Sequence, residues 1–341
     1  MKTPMQPPPL PPHVQLFQLM TGFTVSQAIF AVARLNVAEH LAAGPVVVEE
    51  VARKTGANPD ALYRVLRALA SVGVFTETTP RRFGNTPMSE CLRAGVPGSQ
   101  HAGALMIASL CYSAFGELAW SVGTGQPGFD KIFGAPIFDY LAKHPDEGRG
   151  FDQAMSSIHG PETPAMIEAF SFAGFRTIVD VGGGNGSTLI EILRSAPKAR
   201  GIVFDLPGVV ERAASTIRDA GLGDRCRVAG GSFFESVPKD ADAYILRHII
   251  HDWDDQKSIQ ILRRCREAMA PGGKVLVVES VIPTGDEPHP GKWLDIIMLA
   301  VPGGRERTRA EYEALLAAAG LKLERVVATR SPVSVVEAVA K

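Results

Sequence analysis

Arg176-Thr177-Ile178-Val179-Asp180-Val181-Gly182-Gly183-Gly184-Asn185-Gly186 is the stretch on which the fold turns. An apolar, β-branched run ends on a carboxylate and opens at once into a turn with glycines at 182, 184 and 186. Such a run reads as a buried strand. Glycines behind it let the backbone pass close under a ligand, or let a helix pack tightly on the strand it follows. A dinucleotide loop needs G-x-G-x-x-G, and neither frame supplies the third glycine. Ser187 stands there counting from Gly182, and Leu189 counting from Gly184.

Downstream, strands and helices alternate. RTIVDV is followed by a helix through EILRSA, then ARGIVF, a helix through VVERAASTIRDA, CRVAG, AYILRHI and the helix DDQKSIQILRRCREAM. KVLVVESV, the helix RAEYEALLAAAG and the strands LKLERVVAT and VSVVEAVA complete the series. This grammar predicts an α/β, doubly wound, mostly parallel sheet over residues 167–341, covered by helices on both faces. A ligand of such a sheet sits at the carboxyl ends of the strands, by the switch in strand order.

Polar residues gather at those ends. Asp205 closes the second strand and is followed by Leu206, where a carboxylate can accept from both hydroxyls of a ribose. Ser232 and Phe233 follow the third strand, offering a hydroxyl and an aromatic face to an adenine, although Phe233 would serve equally as a buried loop anchor. The fourth strand runs into Arg247-His248-Ile249-Ile250-His251-Asp252-Trp253-Asp254-Asp255. His251 lies beyond the strand end beside Asp252, and a neutral imidazole with an ordinary pKa of about 6.5 can take a proton from a phenol. Asp252, Asp254 and Asp255 also make a hard-oxygen cluster of the kind that holds magnesium. Asp254 and Asp255 are explained more simply as caps of the helix DDQKSIQ, and the reading adopted holds no metal.

Upstream, residues 1–12 are a proline-rich stretch read as a flexible arm. Residues 13–99 follow a winged-helix outline: apolar helices from about Val14 to Leu41, then VEEVARKTG, NPDALYRVLRALASVGV and the turn-rich FTETTPRRFGNTP. The apolar helices carry more than one hydrophobic face and point to a partner subunit. A winged helix also suggests a DNA-binding regulator, with Arg64 and Arg67 on its second helix. Residues 1–100 hold nine Lys or Arg against six Asp or Glu, too few for the dense basic face that duplex DNA requires. Residues 100–166 are helical and rich in Met and aromatic side chains, with Met155 among those expected to line a pocket and most of the others core.

The bulk composition agrees. The 341 residues are 45% hydrophobic and 21% charged with a net charge of -1, so two domains with large cores are expected and polyanionic partners are not. Cys91, Cys111, Cys226 and Cys265 are scattered, with no C-x-x-C pair, as in a reduced cytoplasmic protein. The most apolar stretch, read as Ala102–Phe115, is shorter than the roughly 20 residues of a membrane span, so no membrane partner is expected.

Together, the run Asp180 to Gly186, Asp205-Leu206-Pro207, Gly231-Ser232-Phe233-Phe234, His251-Asp252-Trp253, Glu279 and Gly303-Gly304-Arg305-Glu306-Arg307-Thr308 resemble the class I S-adenosylmethionine-dependent small-molecule O-methyltransferases. That family includes plant caffeate and flavonoid enzymes, acetylserotonin O-methyltransferase and bacterial tailoring enzymes of natural products. The resemblance covers nearly the whole chain and implies a Rossmann-like catalytic domain, an N-terminal winged-helix dimerisation domain and a homodimer. It implies S-adenosylmethionine as cofactor, S-adenosylhomocysteine as product and a small aromatic hydroxyl compound as acceptor.

Position by position, the resemblance makes His251 the general base, flanked by Glu279 and Glu306. Gly182 and Gly184 would hold the methionine part of the cofactor, Asp205 the ribose, and Ser232 with Phe233 the adenosine, with Asp180 and Leu206 also among the cofactor-binding residues. Arg247 matches a cofactor-binding position often occupied by lysine, and Ser232 departs from the aspartate of the plant enzymes. Met155, Asp252, Trp253 and Met298 would meet the acceptor, although core packing explains Met298 equally well. An N-methyltransferase, or a hydroxylase or decarboxylase on the same fold, remains an alternative.

Overall fold

The computed structural model describes residues 10–341, so most of the arm expected over residues 1–12 lies outside the described residues. The chain divides into two compact units at Ala108/Ser109, and residues 100–108 of the expected linker belong to the first unit.

In the first unit Val48–Thr55 and Pro59–Ser71 form the expected helix pair. Gly56, in the left-handed region at φ 73, ends the first helix, and the Asn58 side chain caps the second by accepting from the amides of Asp60 and Ala61. Leu62, Leu66 and Leu69 recur at i, i+4 and i+7 and meet Val48, Val51, Phe75 and Phe83 in one buried cluster. Strands β1 (Val46–Val47), β2 (Phe75–Thr79) and β3 (Arg82–Asn85) make an antiparallel sheet in the order β1-β3-β2, whose β2–β3 hairpin is the wing.

The helices Pro12–Met20 and Phe23–Arg34 precede this module. Leu16, Phe17, Leu19 and Met20 are all more than half exposed, and no residue of the first helix is buried. Residues 12–34 contain an 18-residue window with a mean hydropathy of 1.5 and are long and apolar enough to cross a membrane by length and composition. Among the described residues this run, bridged by Thr21 and Gly22, meets the length that the shorter apolar stretch Ala102–Phe115 lacks.

The second unit is built on β4 (Thr177–Val181), β5 (Arg200–Asp205), β6 (Cys226–Gly230), β7 (Ala241–Arg247), β8 (Met269–Glu279), β9 (Leu321–Ala328) and β10 (Ser334–Ala340). Their order is β6-β5-β4-β7-β8-β10-β9, parallel from β6 to β8, with β10 antiparallel to both neighbours. The chain leaves β4 toward β5 and β6 and then returns to place β7 on the other side of β4. The loop after β4 thus stands at the switch point.

Alternation along the strands divides the core into two layers. Ile178, Ala243, Ile245, Leu276 and Val278 pack on one face with Leu189, Ile192, Leu193, Ala213 and Ile217. Val179, Val181, Tyr244, Leu246, Val275 and Val277 pack on the other with Ile261, Leu262, Tyr312, Leu315 and Leu316. Successive side chains of a strand point to opposite faces, so only strands apolar at every position can be covered twice.

Candidate active site

Gly182, Gly184 and Gly186 take φ values of 72, 57 and 79, left-handed backbone that side-chain-bearing residues rarely adopt. A Cβ on Gly182 would lie 2.3 Å from Ile249 Cδ1, whereas one on Gly184 would meet nothing within 4 Å. The loop is therefore pinned at one end and open to a ligand at the next turn. Asp205 Oδ2 accepts from the Gly184 amide at 2.9 Å, and its Oδ1 accepts from the Leu206 amide at 2.7 Å. Burial raises the Asp205 carboxyl against those two bonds. Asp180 is more deeply buried; burial, with Asp205 adding and Arg247 opposing, pushes its carboxyl up to about 7, and its Oδ2 has no partner.

Ser232 Oγ accepts from the Phe234 amide at 3.3 Å. Phe233 lies beside Gly182 and also packs edge-on against Trp253, so its ring is both loop anchor and site wall. Leu206 is half exposed at the rim. Arg247, expected at the cofactor, uses most of its donors within the protein. Its Nη1 donates to Thr163 at 3.1 Å and Thr188 at 2.7 Å, and its Nη2 donates to Glu162 at 2.9 Å and to the His159 carbonyl. Its Nε alone is left without a partner.

His251 stands in the one-turn helix Ile250–Asp252 after β7 and is 4% exposed. Its Nδ1 lies 2.6 Å from Glu306 Oε1, so an ionised Glu306 fixes the Nδ1–H tautomer and turns Nε2 toward Asp252 Oδ1, 3.6 Å away. Burial alone would lower this imidazole, but Asp252, the Glu306 hydrogen bond and Glu279 outweigh it and push it up to about 10. The ordinary value assumed from sequence is thus corrected, because several carboxylates share one buried imidazole. Burial likewise raises Glu306, and it raises Asp252 to about 7.

Glu279 takes a different place from the flanking one expected of it. Its Oε1 accepts from the amides of Ile249, Ile250 and His251 at 3.0, 2.6 and 3.1 Å, and its Oε2 accepts from the Tyr312 hydroxyl at 2.6 Å. The first amides of a helical turn have no partner within it, and a buried carboxylate satisfies three at once. Glu279 therefore holds the backbone that carries His251 and does not bond its ring.

Two further residues fix this turn. Arg307, fully buried, donates to the carbonyls of Ile250 and Trp253 on either side of it and to Asp255. Gly304 lies so close that a Cβ would be 1.9 Å from the His251 carbonyl oxygen, while the Arg305 amide donates to that oxygen at 2.8 Å. The sequence marks both only as members of the run Gly303–Thr308; the glycine pair ahead of Glu306 was the available signal.

The acids weighed as metal ligands diverge. Asp254 caps the helix Asp255–Ala268 by accepting from Lys257, Asp255 binds Arg307, and Asp252 faces His251. A separate group, His159, Glu162 and His248, brings ligand atoms within 4.8 Å of one another. Arg247 already serves that Glu162 carboxylate, and His248 Nε2 lies 2.8 Å from the same oxygen. Burial would raise Glu162, but the hydrogen bonds from both histidines outweigh it and hold it well below the usual carboxylate range. His248 has φ 53, and its ring centroid is 5.0 Å from that of His251.

Trp253 is half-buried against Phe138 at 5.5 Å and Phe234 at 4.9 Å, joining the helices before β4 to the cofactor side of the sheet. Met155 is half-buried on the helix Pro145–His159. Met298 is 7% exposed on Pro290–Ala300, where its carbonyl accepts from Gly303. Replacing Gly304 by Ala must push this loop off the His251 turn. Turnover should fall about 100-fold, the cost of roughly 1 Å of misplacement, in initial-rate assays, with cofactor binding by calorimetry retained.

Comparison with known proteins agrees with this architecture. Residues 115–322 match the O-methyltransferase domain, and residues 17–95 match the O-methyltransferase dimerisation domain. The chain is 48% identical over 323 residues, 95% of each chain, to a phenazine O-methyltransferase of Lysobacter antibioticus. It is 34% identical over 92% of each chain to a phenazine-1-carboxylate N-methyltransferase of Pseudomonas aeruginosa. The crystal structure of LaPhzM superposes with a TM-score of 0.94 at 47% identity, covering 97% of this chain and 100% of that one. Several solved relatives hold S-adenosylmethionine or S-adenosylhomocysteine. With two family domains matched in order on a sheet whose switch-point loop and buried histidine turn are built as described, the chain belongs to the S-adenosylmethionine-dependent O-methyltransferase family.

Proposed function

We propose that this enzyme methylates a phenolic hydroxyl on a small, flat, fused-ring natural product, with His251 as general base and Glu306 as its orienting partner. The observation that carries the reading is the 2.6 Å contact of His251 Nδ1 with Glu306, which leaves Nε2 as the atom that receives a proton. Phenols titrate at about 10, as tyrosine does, and the surrounding carboxylates push His251 up to about 10, so the neutral form of His251, whose share grows as the pH rises toward that value, is a base matched to a phenol. An aliphatic alcohol lies far above that range. Trp253, Met155 and Met298 offer apolar surface to a ring, Asp252 offers an acceptor beside the reacting oxygen, and the relatives' phenazine substrates are flat fused rings of this kind.

When bound, the cofactor supplies a methyl group on a sulfonium sulfur. The residues at the switch point suit it: Gly184 presents an open face, Asp205 lies half-buried with lone pairs free for hydroxyls, and Asp180 Oδ2 and Arg247 Nε are an acceptor and a donor without partners. Leu206, Ser232 and Phe233 would border the adenosine. Glu279 keeps the His251 turn in place. A hydroxyl has to lose a proton to attack, whereas an arylamine attacks with its own lone pair; the buried His251–Glu306 pair therefore favours oxygen over nitrogen as acceptor.

The exposed apolar helices between residues 12 and 34, inside a stretch largely matched to a dimerisation domain, support a homodimer. In the same unit Arg81 pairs with Glu49 and Asp60, and Arg93 with Glu39 and Glu90, which favours this reading over duplex DNA binding. We place the enzyme in the cytoplasm.

Asp205→Ala should abolish S-adenosylhomocysteine binding in calorimetry. His251→Ala should keep binding and lose about 10²–10⁴-fold in kcat on hydroxyphenazines; full activity in His251→Ala would sink the assignment. Glu306→Gln removes an anion that raises His251, so the rise of kcat/KM with pH should move to lower pH. A limb that stays in place would exclude Glu306 as the partner. Phe17→Asp with Leu19→Asp should shift sedimentation from dimer to monomer at micromolar concentration.

A further inference from the structure

The helix Pro145–His159 carries Asp152, Ser156 and His159 at i, i+4 and i+7, on one face. Each makes its polar contact at a different strand end. Asp152 Oδ2 accepts from Arg212 Nη2 at 2.5 Å, on the helix that follows β5. Ser156 Oγ accepts from Asn185 Nδ2 at 3.0 Å, within the glycine loop that follows β4. The His159 carbonyl, with Glu162 just beyond it, accepts from Arg247 at the end of β7. Strands β5, β4 and β7 are neighbours in that order, so this helix crosses the carboxyl ends of the three strands that bear Asp205, the glycine loop and Arg247.

The contacts differ in exposure along the helix. At its carboxyl end Arg247 and Glu162 are 9% and 12% exposed, whereas Arg212 and Asp152 are 46% and 30% exposed. The Asp152–Arg212 pair also stands close enough to Asp205 that both charges act on its carboxyl, Asp152 raising it and Arg212 lowering it. The carboxyl end of the helix is anchored in the protein, and its middle, at Asp152, is fastened by a solvent-exposed pair beside Asp205.

We propose that the helix Pro145–His159 is the retaining wall of the cofactor site, and that the Asp152–Arg212 ion pair and the Ser156–Asn185 hydrogen bond set how fast the cofactor leaves. The inference rests on the cofactor reading above and extends it to residues outside the family's glycine and acidic motifs. Opening begins at the Asp152–Arg212 pair, because an exposed ion pair is weak and screened by salt while the buried Arg247–Glu162 anchor is not. Release of the S-adenosylhomocysteine product therefore follows breakage of contacts that touch neither the acceptor nor His251.

The test is the dissociation rate of S-adenosylhomocysteine, followed by stopped-flow displacement on the full-length protein. Asp152→Asn and Arg212→Gln should each speed release about threefold, the effect expected of an exposed pair, and the double variant should be no faster than either single one. Adding Ser156→Ala should bring the gain to about tenfold. Raising sodium chloride from about 0.05 to 0.5 M should speed release from the wild type and leave the Asp152→Asn rate unchanged. Thermal midpoints of the ligand-free variants separate retention from folding. Release rates equal to wild type, or gains that simply add in the double variant, would overturn the retaining role. A wild type that does not bind S-adenosylhomocysteine would instead remove the cofactor reading, and this inference with it.

Discussion

Glu279 is the interaction on which the rest of the site depends. A carboxylate at the end of β8, fully buried, gathers three successive amides of the turn after β7 and the hydroxyl of Tyr312. Leaving those amides buried and unpaired would cost about 1–3 kcal/mol each, and an uncompensated buried carboxylate would cost more. The turn, the strand that supports it and the helix bearing Tyr312 are thereby made mutually dependent. Arg307 and Gly304 complete the arrangement from the other side, one by donating to the flanking carbonyls and the other by having no side chain.

With the backbone so fixed, the chemistry is set by charge. Asp252, Glu279 and Glu306 all act on one buried imidazole, and the region can hold that much negative charge only by keeping protons. His251 is the group that retains one most firmly, which makes it a stronger base than a solvent-exposed histidine and brings it to the range of a phenol. A few ångströms away the balance is opposite. His248 is driven well below its ordinary value by burial, with His159 adding to it, and one ionised carboxylate, Glu162, serves both rings and Arg247. Two histidines three residues apart in sequence thus differ in charge because the carboxylates around them are distributed unequally.

The first unit shows the same dependence of meaning on context. A winged helix with arginines on its second helix resembles a DNA reader in outline, but several of the unit's guanidinium groups are engaged locally. Arg67 and Arg81 lie over the Tyr63 ring, and Arg81 also pairs with two carboxylates. Its conspicuous surface is apolar, carried by the helices ahead of the wing. Such a surface is stable in water only when covered.

The sequence by itself determined the fold class, the glycine loop at the switch point and the histidine beyond the end of the fourth strand of the series. Glycine spacing, β-branched strands and a histidine beyond a strand end are local signals, and local signals survive in one dimension. Asp180, Gly182, Gly184 and Asp205 were legible for that reason, as was Glu306, through its place in a motif. What only the tertiary structure decided is where each remaining polar atom is used. Glu279 bonds the backbone of the His251 turn, Arg247 places its terminal nitrogens on His159, Glu162, Thr163 and Thr188, and His251 is raised by Glu306 and Glu279 together with the adjacent Asp252; the bonded partners in these contacts stand 28 to 88 residues away. A buried hydrogen bond or charge is fixed by which groups converge in space, and convergence at that separation is a property of the packed sheet, which no spacing along the chain records.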